Sequence, residues 1–133
     1  MKTGIIGMGN MGSKYAELIA KGEIAGMELV AVTRVSDERW DRIKDYVSPD
    51  ILRVSSGDDM YAAVDRGELR LDAVIIVTPH YSHEELAVEA FKRGISVLCD
   101  KPAGVYSRQA RNMMNAFNEA KKLHPSIRYG YIF

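Results

Sequence analysis

Short apolar runs rich in β-branched residues alternate along this chain with stretches whose apolar residues recur every three or four positions. Runs of the first kind suit strands buried on both faces of a parallel sheet, and stretches of the second suit helices that cover it. In order, the runs predict strands over 3–7, 28–33, 51–54, 72–77, 95–99 and 126–133. Helices are predicted between them over about 13–21, 36–46, 58–66, 84–93 and 107–123. Ser36-Asp37-Glu38 supplies a hydroxyl cap and first-turn acids for the second helix, Pro49 stops it, and Gly22, Gly67 and Gly94 close three others. Met11, Tyr15, Leu18 and Ile19 are expected to face the sheet from the first helix, and Ala110, Met113, Met114 and Phe117 from the last.

Such a series of βα units predicts an α/β fold with a doubly wound parallel sheet, right-handed crossovers and strand order 3-2-1-4-5-6. The chain shows no linker, low-complexity segment or internal repeat beyond the alternation itself, so residues 1–133 read as one domain. In that architecture ligands lie outside the carboxyl ends of the strands, where the order reverses. The polar strand ends at 7–12, 78–83 and 100–102 are therefore expected to converge on one cleft.

The first of these ends is Gly7-Met8-Gly9-Asn10-Met11-Gly12, set between a predicted strand and a predicted helix. That setting turns a G-x-G-x-x-G pattern into a dinucleotide fingerprint. The first glycine allows a tight turn, the second lets backbone approach a pyrophosphate, and the third lets helix and strand pack closely. Free N–H groups at the helix start, with aligned dipoles, then attract the negative charge.

Composition narrows the partners. Eighteen basic and eighteen acidic residues cancel, which leaves no net field to hold nucleic acid or an anionic membrane. At 133 residues the chain can bury a real core but is short for an enzyme with its own substrate domain. The single cysteine, Cys99, excludes an intrachain disulfide and reads as a small buried hydrophobe. No apolar run approaches a membrane span, and Met1-Lys2-Thr3-Gly4 leaves no room for a signal peptide, so a cytoplasmic protein is expected.

Cofactor choice turns on Thr33-Arg34-Val35-Ser36, where an NAD-preferring site places a carboxylate for the ribose 2′-hydroxyl. Arg34 offers a planar fork that matches a 2′-phosphate, and Thr33 and Ser36 can donate hydroxyls, so the segment favours NADP, with NAD possible. Arg34 could also stack on adenine or be a solvated surface residue. His80 and His83, with Glu84 and Glu85 adjacent, resemble half a metal site but lack further ligands; no metal is expected, and a histidine that caps a helix start or lines the cleft is the simpler reading. No nucleophile elbow is present to support hydrolase chemistry. Trp40, Tyr46, Tyr129, Tyr131 and Phe133 read as packing groups.

Lys101 follows the fifth strand and precedes Pro102. A cation there could orient a substrate hydroxyl and stabilise an alkoxide, though a surface lysine would look the same. Taken together, the glycine turn, Val77-Thr78-Pro79 with His83 beyond it, and Asp100-Lys101-Pro102 resemble the amino-terminal Rossmann domain of the Gfo/Idh/MocA oxidoreductases. The resemblance implies that Val77, Thr78, Pro79, His80 and His83 belong to the cofactor-side loop. It implies that Lys101 lies near the nicotinamide and substrate, and that the bond to Pro102 is often cis. Asp100 stands where the family usually has glutamate, one methylene longer.

The family's acid and base residues belong to a carboxyl-terminal α/β domain, of which nothing is expected in these residues. The implied function is cofactor binding for hydride transfer to or from a sugar, cyclitol or similar hydroxy or keto substrate, with little turnover by this chain alone. A non-catalytic module that senses NADP(H) and acts through a protein partner is the competing class.

Overall fold

The structure, a computed structural model, describes residues 1–79, 82–100 and 107–132. Its strands are β1 (Lys2–Ile6), β2 (Glu28–Val32), β3 (Leu52–Arg53), β4 (Ala73–Ile76), β5 (Ser96–Asp100) and β6 (Tyr129–Ile132). Its helices are α1 (Asn10–Ala20), α2 (Asp37–Asp41), α3 (Gly57–Asp65), α4 (His83–Lys92) and α5 (Ser107–Leu123). The six strands form one sheet in the order β3-β2-β1-β4-β5-β6, and every neighbouring pair is parallel. The order reverses between β1 and β4, where Ile5 stands beside Ile75 and Ile6 beside Ile76.

Because successive strand residues point to opposite faces, the apolar runs feed two cores. Ile5, Leu29, Val32 and Ile75 meet Ala16 and Ile19 of α1 and Ile43 beyond α2. Ile6, Val74, Ile76, Val97 and Cys99 meet Tyr61, Leu86, Phe91 and Met113 from α3, α4 and α5. Burial pushes the Cys99 thiol up to about 12, with the charge of Asp100 adding to the shift. The expected packing aromatics behave differently from one another. Phe91, Phe117, Tyr129 and Tyr131 form a chain of tilted and edge contacts, and Trp40 lies under the Arg53 guanidinium at 4.1 Å, but Tyr46 is exposed. Phe133 lies outside the described residues.

Several expectations need correction. α1 starts at Asn10, three residues earlier than the apolar spacing suggested, so its buried stripe is Gly12, Ala16 and Ile19. Met11 is left 46% exposed on the first turn. On α5 the buried residue is Met113, with Ala116, Phe117 and Ala120 packed beside it, and Met114 turns outward at 43% exposure. Consecutive helical residues diverge by about 100°, so two adjacent methionines cannot share one narrow stripe. α2 ends at Asp41 and passes into turns in which Ile43 N–H bonds the Trp40 carbonyl and Tyr46 N–H bonds the Ile43 carbonyl. β3, an edge strand paired only with Ala31 and Val32, is shorter than its apolar run, and β6 begins at Tyr129 rather than 126. Among the described residues, no helix is long and apolar enough to cross a membrane.

Candidate functional site

The turn between β1 and α1 is shaped by what its glycines cannot carry. Gly7 has φ +105°, and a Cβ there would lie 2.6 Å from the Val77 carbonyl oxygen. A Cβ at Gly12 would lie 1.8 Å from the Gly7 carbonyl oxygen, so α1 could not pack where it does. Gly9 differs: a Cβ there would meet no protein atom within 4 Å. The chain's own packing places no demand on position 9, and a side chain there would stand in open space on the cleft wall.

Gly9 is also the N-cap of α1, which has no side-chain cap and no acid in its first turn. By contrast, Ser36 caps α2 beside Asp37 and Glu38, and Ser56 caps α3 beside Asp58 and Asp59. α4 carries Glu84 and Glu85 in its first turn. The first N–H groups of a helix have no intrahelical partners and sit at the positive end of its dipole. At α1 neither a capping side chain nor a first-turn acid compensates those groups and that potential.

Hydrogen bonds from the β2 side hold the turn. Gly7 N–H donates to Thr33 Oγ1 at 2.9 Å, and Thr33 is buried. The Met8 carbonyl accepts from Ser13 Oγ at 3.1 Å and from Arg39 Nη1 at 3.4 Å, and Arg39 Nη2 donates to Asn10 Oδ1. Ser36 Oγ accepts the Arg39 N–H at 3.3 Å, which fixes the start of α2. The expected hydroxyls of Thr33 and Ser36 thus already accept bonds that order this end of the sheet.

A cleft of about 490 Å³ opens at the carboxyl ends of β1 to β4. Of the sequence candidates, Gly7, Met8, Gly9, Thr33, Arg34, Thr78 and Pro79 line it. Arg34 is exposed and, among the described residues, has no carboxylate partner. Asn10, Met11, Gly12, Ser36 and Val77 stand behind this wall as part of the turn, the α2 cap and the β4 end. His83 is fully buried, and its Nε2 lies 2.7 Å from the Thr78 carbonyl, to which it can only donate. It therefore braces Thr78 from beneath. The Ser82 and Thr78 hydroxyls bond at 2.6 Å, and Ser82 Oγ donates to the Pro79 carbonyl at 2.7 Å.

Asp100 ends β5, and its charge, after burial, helps push the Tyr15 phenol of α1 upward. His80, Lys101 and Pro102 lie outside the described residues.

The sequence reading missed one wall. Ser55, Ser56, Gly57 and Asp58, together with Glu85 and Leu86, complete the cleft. Ser55-Ser56-Gly57 reads in sequence only as the entry to a helix, yet the parallel topology brings every strand end to the same rim. Gly57 is buried there, and a Cβ on it would meet Leu86 Cδ2 at 2.6 Å. Arg39 was missed as well, because nothing local indicates that it reaches Asn10.

Known proteins share this fold. The family model GFO_IDH_MocA, described as an oxidoreductase family with an NAD-binding Rossmann fold, matches residues 1–126. Inositol 2-dehydrogenase 4 of Saccharopolyspora erythraea is 34% identical over 121 residues, covering 87% of this chain and 32% of that protein. UDP-N-acetylglucosamine 3-dehydrogenase of Acidithiobacillus ferrooxidans is 30% identical, covering 97% of this chain and 40% of that protein. The structure of scyllo-inositol dehydrogenase from Lactobacillus casei with bound cofactor NAD(H) and scyllo-inositol superposes with a TM-score of 0.74 at 26% identity. That match covers 98% of this chain and 35% of the other. The chain spans about a third of the length of the relatives it matches.

Proposed function

The chain belongs to the Gfo/Idh/MocA oxidoreductases, in their NAD-binding Rossmann domain, and on that premise we propose that it is the cofactor-binding part of an NAD(P)-dependent enzyme acting on a sugar or cyclitol. The observation that carries this reading is the bare amino end of α1, without cap or first-turn acid, beside a Gly9 whose missing side chain leaves open space. A pyrophosphate fits that combination: it supplies the negative charge the helix start lacks and needs the close backbone approach that Gly9 permits. Gly7 to Gly12 would hold the pyrophosphate, and Thr78, braced by His83, and Pro79 would line the path of the nicotinamide half. When bound, the nicotinamide supplies hydride acceptance or donation.

NADP is the proposed preference. Arg34 lines the cleft at the end of β2, has no carboxylate partner among the described residues, and offers a fork suited to a 2′-phosphate. Thr33 and Ser36 keep their hydroxyl protons for donation while accepting N–H bonds from Gly7 and Arg39. NAD is the second reading, favoured by Asp58 and Glu85 as carboxylates on the same cleft and by the NAD(H) bound in the Lactobacillus relative. Lys101 is proposed to orient the substrate hydroxyl and stabilise negative charge on its oxygen, between Asp100 and Pro102. The substrate pocket and acid–base residues are proposed to lie in sequence beyond this third of the enzyme, so the chain alone should bind cofactor with little turnover.

Titration with NADPH and NADH, by fluorescence or calorimetry, tests the reading. Tighter NADPH binding whose preference disappears in Arg34→Ala is expected. Equal binding of both by the unmodified chain removes the NADP preference, and binding of neither removes the cofactor reading. Oxidation of an inositol by the isolated chain at enzyme-like rates would overturn the claim that it needs further sequence.

A further inference from the structure

We propose that Arg39 is a positioning residue that sets the orientation of the Met8–Gly9 peptide, and that it supports the two dinucleotides equally without reading the 2′-phosphate. The inference rests on the cofactor reading above for its consequence, but the geometry stands independently of it. Arg39 leaves the first turn of α2 and reaches the glycine turn across 31 and 29 positions of sequence, to the Met8 carbonyl and to Asn10 Oδ1. It lines a separate groove behind the turn, with Ser13 and Lys14, and is not among the residues lining the cleft that holds Arg34.

The peptide geometry supplies the mechanism. In a trans peptide the carbonyl and the N–H that share a plane point in opposite directions. The carbonyl of Met8 and the N–H of Gly9 share one such plane. Ser13 Oγ and Arg39 Nη1 both hold that carbonyl from the α1–α2 side, and so occupy both of its lone pairs. With the oxygen held there, the Gly9 N–H is directed away from α2, on the residue that forms the cleft wall. Without a side chain, Gly9 has no rotamer contacts of its own to resist a flip of this peptide. The restraint has to come from elsewhere, and Arg39 and Ser13 supply it.

Arg39 is itself well fixed. Its own N–H is the one Ser36 caps, and the neighbouring Trp40 is held under Arg53. The planar guanidinium engages carbonyl and amide together, which a lysine ammonium cannot reproduce from one position. Lysine therefore keeps the charge and loses the two-point grip, so Arg39→Lys separates geometry from electrostatics.

The test compares Arg39→Ala, Arg39→Lys and Asn10→Ala with the unmodified chain, using NADH, NADPH and backbone 15N relaxation of the free protein. Arg39→Ala should weaken NADH and NADPH by the same factor, about tenfold, equivalent to about 1.4 kcal/mol. Arg39→Lys should recover little of this, and Asn10→Ala should weaken both nucleotides equally but less. In the free protein the order parameter of the Gly9 amide should fall from the rigid range near about 0.85 toward about 0.6 in Arg39→Ala, with β1 and β4 amides unchanged.

A loss confined to NADPH would overturn the proposal by making Arg39 a phosphate reader. Full recovery in Arg39→Lys would overturn it by making charge the whole effect, and so would unchanged affinities or an unchanged Gly9 order parameter. If the unmodified chain binds neither nucleotide, the cofactor reading fails, and the relaxation data alone decide whether Arg39 orders the turn.

Discussion

Replacing Thr33 with valine removes one oxygen and keeps the shape, so it isolates the bond that joins the end of β2 to the glycine turn. In the native chain Thr33 Oγ1 accepts the Gly7 N–H at 2.9 Å, and Thr33 is 6% exposed. Valine leaves that N–H without its acceptor, and an unsatisfied buried donor costs about 1–3 kcal/mol. Gly7 borders the cleft, so water can partly replace the lost oxygen, which puts the expected cost in the lower half, about 1–2 kcal/mol. An unfolding entropy of about 2.1 cal/mol/K per residue over 133 residues converts this to a fall in Tm of about 4–7 °C. Urea denaturation and a thermal melt, both followed by circular dichroism and with Thr33→Ser as the control, measure the free-energy cost and the fall in Tm. Serine keeps the acceptor and loses a methyl group, so it should retain most of the stability. A valine variant as stable as the native chain, or a serine variant as damaged as the valine one, would refute the reasoning.

The two glycines of the turn should separate folding from binding. Gly12→Ala places a Cβ 1.8 Å from the Gly7 carbonyl and should cost about 1–3 kcal/mol or more by urea denaturation, together with nucleotide binding, whereas Gly9→Ala meets no atom within 4 Å and should lose binding with stability within about 0.5 kcal/mol of native. On the far side of α3 and α4, hydrogen bonds to Arg93 hold the Asp65 carboxyl below its usual range, and bonds to Lys92 and Arg93 do the same for Glu89. A depressed folded-state pKa stabilises above the unfolded value and is lost as pH falls through the folded one. The contribution should therefore be complete above about pH 4.5 and fade below it, and Arg93→Gln should flatten the change in urea midpoint between neutral and acid pH. An unchanged acid slope in that variant would remove Arg93 from the explanation. Cys99 is fully buried with its thiol raised to about 12, so a thiol reagent at pH 8 should label it only as fast as the chain unfolds; immediate labelling of the folded protein would contradict that placement.

What could be read directly from the sequence was local or periodic. Apolar runs such as Ala73–Ile76 named the buried strands, helix stops named the turns, and strand-turn-helix around Gly7 to Gly12 named the glycine-rich corner between β1 and α1. The doubly wound architecture that this series of βα units and its glycine turn imply, with right-handed crossovers, carries the strand order that the sheet shows. Helix faces were less legible. Apolar spacing points Met11 and Met114 inward, yet they lie outward, because which side of a helix meets the sheet depends on where its first turn is anchored. The cleft was half visible, since Ser55 to Asp58 become part of it only when β3 ends on the same rim as β1 and β4.

Sequence alone therefore determined the fold class, the strand order and the glycine turn, because hydrophobic period, turn chemistry and chirality act over a few residues at a time. Tertiary structure alone decided that the Thr33 hydroxyl meets Gly7, that Arg39 grips Met8 and Asn10, and that His83 supports Thr78 from beneath. Those pairings depend on angles and separations set by the packing of α1, α2 and α4 on the sheet, and a hydrogen bond is made or lost over less than an ångström.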